Sequence, residues 1–125
     1  MKILTGTDII EIERIKDSIE NIGNRFIREI FTEKEIEYCE SKKNSKYQHY
    51  AARFASKEAI FKAISELLND KFELSWKNVE IINDKNGKPH INWIETDIGE
   101  KIESIDISIS HCKEYAVATV VIVYK

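Results

Sequence analysis

A chain of 125 residues is long enough for one domain with a sizeable core and too short for two self-sufficient cores, so a single domain over 1–125 is expected. Hydrophobic residues at 42% and charged residues at 33% describe a folded, water-soluble protein, not a disordered or membrane-embedded one. A net charge of −3, from 19 basic and 22 acidic residues mixed along the chain, argues against nucleic-acid binding through a broad basic surface.

The opening residues MKILTGTDII lack the long apolar core of a signal peptide, and no later run approaches the ~20 apolar residues that cross a bilayer. Neither export nor membrane insertion is expected, and the chain reads as cytoplasmic. Residues 2–10 predict a strand rich in isoleucine and threonine, with Gly6 marking a point of close approach. Ile12, Ile15, Ile19 and Ile22 recur at helical spacing over 11–22. Gly23 and Asn24 end that helix, and a short one follows over 25–31. Thr32, with Glu35 three residues on, predicts a capping box for a helix running through Tyr38 and Cys39. Polar residues 41–46 predict a loop, and 47–68 carry the longest helical pattern. Then the period changes: 72–82 and 90–94 read as strands joined through DKNGKP, whose Asn-Gly pair signals a hairpin. A short helix is expected over 96–103. Alternating Ile105, Ile107 and Ile109 and the valine-dense 116–124 predict two closing strands, with the turn at 111–114. The expected class is α+β, an antiparallel sheet packed against a long central helix. Cys39 and Cys112 lie far apart without zinc-ligand spacing and read as free thiols.

Three segments could carry chemistry. In GTDIIEIERI (6–15), Asp8 interrupts an apolar strand, which is costly unless the carboxylate is paired or binds a metal; a helix cap or a lysine salt bridge would also satisfy it. RFASKEAIFKAI (53–64) places Arg53 and Lys57, and Glu58 and Lys62, one helical turn apart; Ala52, Ala55, Ala59 and Ala63 form a small-residue stripe for close packing on the sheet. An amphipathic core helix with surface ion pairs would look the same. SISHCKEYAVATV (108–120) sets His111 and Lys113 at a hairpin tip, suited to an anion or simply solvated.

Together and in this order, the segments resemble the holo-acyl-carrier-protein synthase family of 4'-phosphopantetheinyl transferases. The resemblance rests on the GxD motif at Gly6–Asp8, the segment FTEKE, the helix FASKEAIFKA and the closing SISHCKEYA, and it spans nearly the whole chain. Short length and the closing motif favour the small, carrier-protein-synthase branch.

What the resemblance implies is magnesium-dependent transfer of the 4'-phosphopantetheine arm of coenzyme A to a serine of apo acyl carrier protein, releasing adenosine 3',5'-bisphosphate. Such chemistry calls for neutralised phosphate charge and exact positioning. Asp8 and Glu58 would be the metal ligands, completed by diphosphate and water. Lys57 and Lys62 would neutralise phosphate oxygens, Lys62 being catalytic with Asp8 and Glu58; Arg53 and His111 would take other coenzyme A phosphates, including the 3'-phosphate. A metal-bound water or either carboxylate could be the general base. Arg14, Arg25 and Arg28, with Phe26, would dock the acidic carrier protein. A homotrimer with active sites shared between neighbouring subunits is implied, and the apolar run Val121, Ile122, Val123 offers it a surface. Two rivals stand beside this reading: a broader transferase for polyketide or peptide synthase carrier domains, and a scaffold that has lost catalysis.

Overall fold

The computed structural model describes residues 1–70 and 73–125. In chain order these form β1 (Lys2–Glu11), α1 (Ile12–Ile22), α2 (Asn24–Ile30), α3 (Glu33–Glu40), α4 (Lys46–Ile64), β2 (Val79–Asn83), β3 (Pro89–Trp93), β4 (Ile102–His111) and β5 (Tyr115–Tyr124). The strands divide between two antiparallel sheets, one ordered β1-β5-β4 and one β2-β3. The α+β expectation with a long central helix holds.

Alternation along β1 and β5 decides which face the large sheet turns to α4. Leu4, Gly6, Ala116, Ala118, Val120 and Ile122 are buried, whereas Ile3, Thr5, Ile9, Thr119 and Val121 are exposed on the opposite face. Against the buried face lies the predicted alanine stripe, with Ala52, Ala55, Ala59 and Ala63 all buried. Gly6 is the closest point. A methyl group built there would stand 1.9 Å from the Ala59 carbonyl oxygen, so only glycine lets β1 lie this near the helix backbone. A second cluster, Ile12, Ile15, Ile19, Ile27 and Ile30 around Tyr50 and Phe31, seats α1 and α2 over the first half of α4. Ile12, Ile15 and Ile19 of the isoleucine spacing seen in the sequence belong to that buried stripe, whereas Ile22, its last member, is exposed.

Several boundaries differ from expectation. The long helix ends at Ile64 and gives way to a 3₁₀ turn over Ser65–Leu67. The strand expected over 72–82 begins only at Val79, because Ser75 and Asn78 cap a 3₁₀ turn over Trp76–Asn78; Phe72 lies outside the described residues. The helix expected over 96–103 is a 3₁₀ turn, Ile98–Lys101, after which β4 starts at once. His111 ends β4, paired with Ala116, instead of sitting in the turn. The hairpin at DKNGKP forms as predicted, with Gly87 at φ +86° and the Asp84 carboxylate accepting the Asn86 and Lys88 amides.

Candidate active site

The close approach at Gly6 carries Asp8, two residues on along the same face of β1, to the side of α4. There the Lys62 ammonium donates to Asp8 Oδ1 at 3.0 Å and to the Thr7 carbonyl at 3.1 Å. The Asp8 side chain is 16% exposed and that of Lys62 54%, so the carboxylate is largely enclosed while the cation still reaches solvent. Glu58 sits one turn before Lys62 on α4. Its carboxyl is held above the ordinary range, first by burial and then by the Asp8 charge, with Lys62 pulling the other way. In place of the surface pair of Glu58 with Lys62 that helical spacing allows, Lys62 pairs with Asp8, and Glu58 feels the charge of both. Beside Glu58 opens a cavity of about 520 Å³, lined also by Phe61, Ser65, Leu68, Leu74, Ser75 and Trp76. The Trp76 ring stacks on Phe54 at 5.1 Å and meets Phe61 edge-on at 5.5 Å, which fixes this wall.

Lys57 corrects the sequence reading. It is fully buried, and its ammonium donates to Glu35 Oε1 at 2.7 Å, the Ile30 carbonyl at 2.7 Å and the Trp76 carbonyl at 3.1 Å. An ammonium has three donors, and all are engaged inside the fold, so none is left for a coenzyme phosphate. Glu35 is equally buried and accepts from the Thr32 and Ile81 amides as well. This explains the glutamate of FTEKE. It closes the predicted capping box on Thr32 and also ties α3, α4 and β2 through one carboxylate.

Arg53 lies on another side of α4. Five residues separate it from Glu58, about 7.5 Å along the axis and about 140° around it. The guanidinium covers the Tyr38 ring at 4.1 Å and donates through Nη2 to the Asn83 side chain. With His111 it lines a second cavity of about 210 Å³, walled also by Tyr38, His49, Asn83 and Pro89. The two cavities have no lining residue in common. The structure therefore brings Asp8, Glu58 and Lys62 together, and separately Arg53 and His111. Trp76, Asn83 and His49 escaped the sequence reading: each is an isolated polar or aromatic residue outside the motifs, and only the fold brings them to a cavity wall.

Of the docking candidates, Arg14 on α1 and Arg25 on α2 are exposed, and Phe26 is half-buried. Arg28 is exposed but paired with Glu33.

The sequence profile of the 4'-phosphopantetheinyl transferase superfamily matches residues 5–120. The chain belongs to this superfamily. Among its relatives, a holo-[acyl-carrier-protein] synthase from Ruminiclostridium cellulolyticum is 47% identical, over 98% of this chain and 92% of that protein. One from Chloroherpeton thalassium is 45% identical over 94% of each. Solved transferases of the superfamily share the fold: the Helicobacter pylori holo-[acyl-carrier-protein] synthase in complex with coenzyme A aligns with a TM-score of 0.82 at 30% identity, over 96% of this chain and all of that one. The Bacillus anthracis synthase, in complex with coenzyme A (3',5'-ADP), aligns at 0.78 and 35% identity, over 98% and 96%.

Proposed function

We propose that this chain is a holo-acyl-carrier-protein synthase, moving the 4'-phosphopantetheine arm of coenzyme A onto a serine of apo acyl carrier protein. The observation that carries the reading is the group of Asp8, Glu58 and Lys62, of which Glu58 lines the cavity beside Trp76, in a superfamily member 47% identical to a synthase over 98% of its length. In the reaction the serine oxygen forms a bond to the arm's phosphorus, the phosphorus–oxygen bond within the diphosphate breaks, and adenosine 3',5'-bisphosphate leaves. The serine proton passes to a base.

Magnesium fits the residues present. Among the described residues no cluster of three or more His, Cys, Asp or Glu side chains could hold a metal. Two hard carboxylates without a third are what a magnesium ion takes when substrate phosphates supply its other oxygens. Burial and, after it, the neighbouring Asp8 charge lift the Glu58 carboxyl, and a divalent cation held between the two acids would offset both. Asp8 and Glu58 would hold it, and its contribution would be to neutralise the diphosphate as charge develops on the leaving oxygen.

The chain's own groups act on the same charge. Lys62, half exposed beside Asp8, offsets phosphate charge without being fully desolvated. The apolar walls of Phe61, Leu68, Leu74 and Trp76 suit the arm of coenzyme A and keep water from the diphosphate. Arg53 and His111 receive a coenzyme phosphate, and the separation of their cavity from the one that Glu58 lines supports a site completed by a neighbouring subunit in a homotrimer. The exposed Ile3, Ile9 and Val121 give the large sheet an apolar outer face for such an assembly. Arg14, Arg25, Phe26 and Arg28 form the side that meets the acidic carrier protein, and the reaction takes place in the cytoplasm.

Mass spectrometry of apo carrier protein incubated with the chain, coenzyme A and magnesium tests the reading, with an expected gain of about 340 Da. No gain, or equal rates on carrier domains of polyketide and peptide synthases, would overturn the assignment. Asp8→Ala should abolish the gain and leave the circular dichroism spectrum unchanged.

A further inference from the structure

The cavity holding Arg53 and His111 contains a third ionisable ring that the proposed mechanism does not use. His49, one turn before Arg53 on α4, stands edge-on to Tyr38 at 5.6 Å between ring centres and to His111 at 6.1 Å. Arg53 is 3% exposed, and among the described residues its Nε is a buried side-chain nitrogen without a hydrogen-bond partner. A buried cationic nitrogen left unpaired is costly unless something arrives to accept its proton.

We propose that His49 completes this cluster as a subsite for a phosphate monoester dianion and becomes an imidazolium when the dianion binds. The proposal rests on the placement of a coenzyme A phosphate at Arg53 and His111. The groups facing His49 are Lys42 after α3, Tyr38 on α3, Arg53 on its own helix and His111 at the end of β4. Burial and then the charges of Lys42, Arg53 and His111 hold the free imidazole below its ordinary value, so it is neutral in the empty site. A dianion seated among these cations reverses the field at the ring, and the charged form gains an acceptor. Binding then takes up a proton. Affinity rises as pH falls, down to the pH, about 6, at which the monoester itself becomes a monoanion.

Calorimetric titration with coenzyme A near pH 7, in two buffers of different ionisation heat, counts the protons taken up. His49→Phe keeps the ring contacts and removes the titrating nitrogen, and His49→Gln serves the same purpose with a smaller polar side chain. The wild-type chain should take up more protons per coenzyme than either variant. The difference should disappear with dephospho-coenzyme A, which lacks the monoester. Between pH 8 and 6.5 the wild type should gain several-fold more affinity than His49→Phe, within the ~10-fold per pH unit that one group can supply. Equal proton counts in wild type and variants would overturn the role of His49. So would a difference that persists with dephospho-coenzyme A, because the ring would then be reading the diphosphate. Arg53→Ala separates the two layers: if it weakens coenzyme binding while proton counts are equal, only the part of His49 falls; if it binds as tightly as wild type, the phosphate placement falls and the proposal with it.

Discussion

On the proposed reading, Glu58 sets function against stability at a single side chain. Its carboxyl is raised above the ordinary range, so between the ordinary value and the raised one the folded state keeps a proton that the unfolded chain has released. Stability therefore falls as pH rises from the ordinary carboxylate range through the raised value, the reverse of a salt-bridged acid. Glu58→Gln should remove that penalty, raising the thermal midpoint at pH 7 while abolishing transfer; a lower midpoint would mean that the carboxylate is a structural partner. Lys57 makes the opposite case. Lys57→Met leaves the buried Glu35 carboxylate without its counter-charge, and denaturant titration should register a loss of about 3–5 kcal/mol. Neighbours in sequence, the two residues could not be told apart by spacing. Both were read as charges on one helix surface, because a helical pattern reports which face a residue takes and not what closes over that face.

At the level of elements, the glycine of the GxD motif is a packing requirement that positions an acid. Gly6→Ala would set a methyl group against the Ala59 carbonyl oxygen, push β1 away from α4 and separate Asp8 from Lys62. Transfer should fall ~100-fold or more, with the β1 amides losing hydrogen-exchange protection. The strands β1, β4 and β5 and the isoleucine stripe of α1 were legible in the sequence, since periods of two and of 3.6 survive whenever one face is buried. The region after α4 was not. There Ser75 and Asn78 close a local turn with their side chains, and such capping competes with strand pairing in a way that the strand-favouring Trp76 between them conceals. The carboxylate pair was legible only as a joint pattern of three segments. Of the Arg53 cavity, Arg53 and His111 were legible through the same pattern, while His49 and Asn83, which lie outside the three segments, were not.

For the molecule as a whole, the separation of the two cavities makes a prediction about mixing. On the shared-site reading, Asp8→Ala and Arg53→Ala chains are each inactive alone, yet a trimer containing both builds some sites from two undamaged halves. Equal mixtures, unfolded and refolded together, should recover up to about a quarter of wild-type activity. No recovery would place both cavities in service of one subunit. The apolar outer face of the large sheet then acquires a kinetic meaning. If a catalytic site exists only where two such faces have met, activity per chain is not a constant of the enzyme but a function of its concentration. Dilution below the association threshold would silence it without unfolding a single chain, and coenzyme A, by bridging the halves, would hold the threshold down.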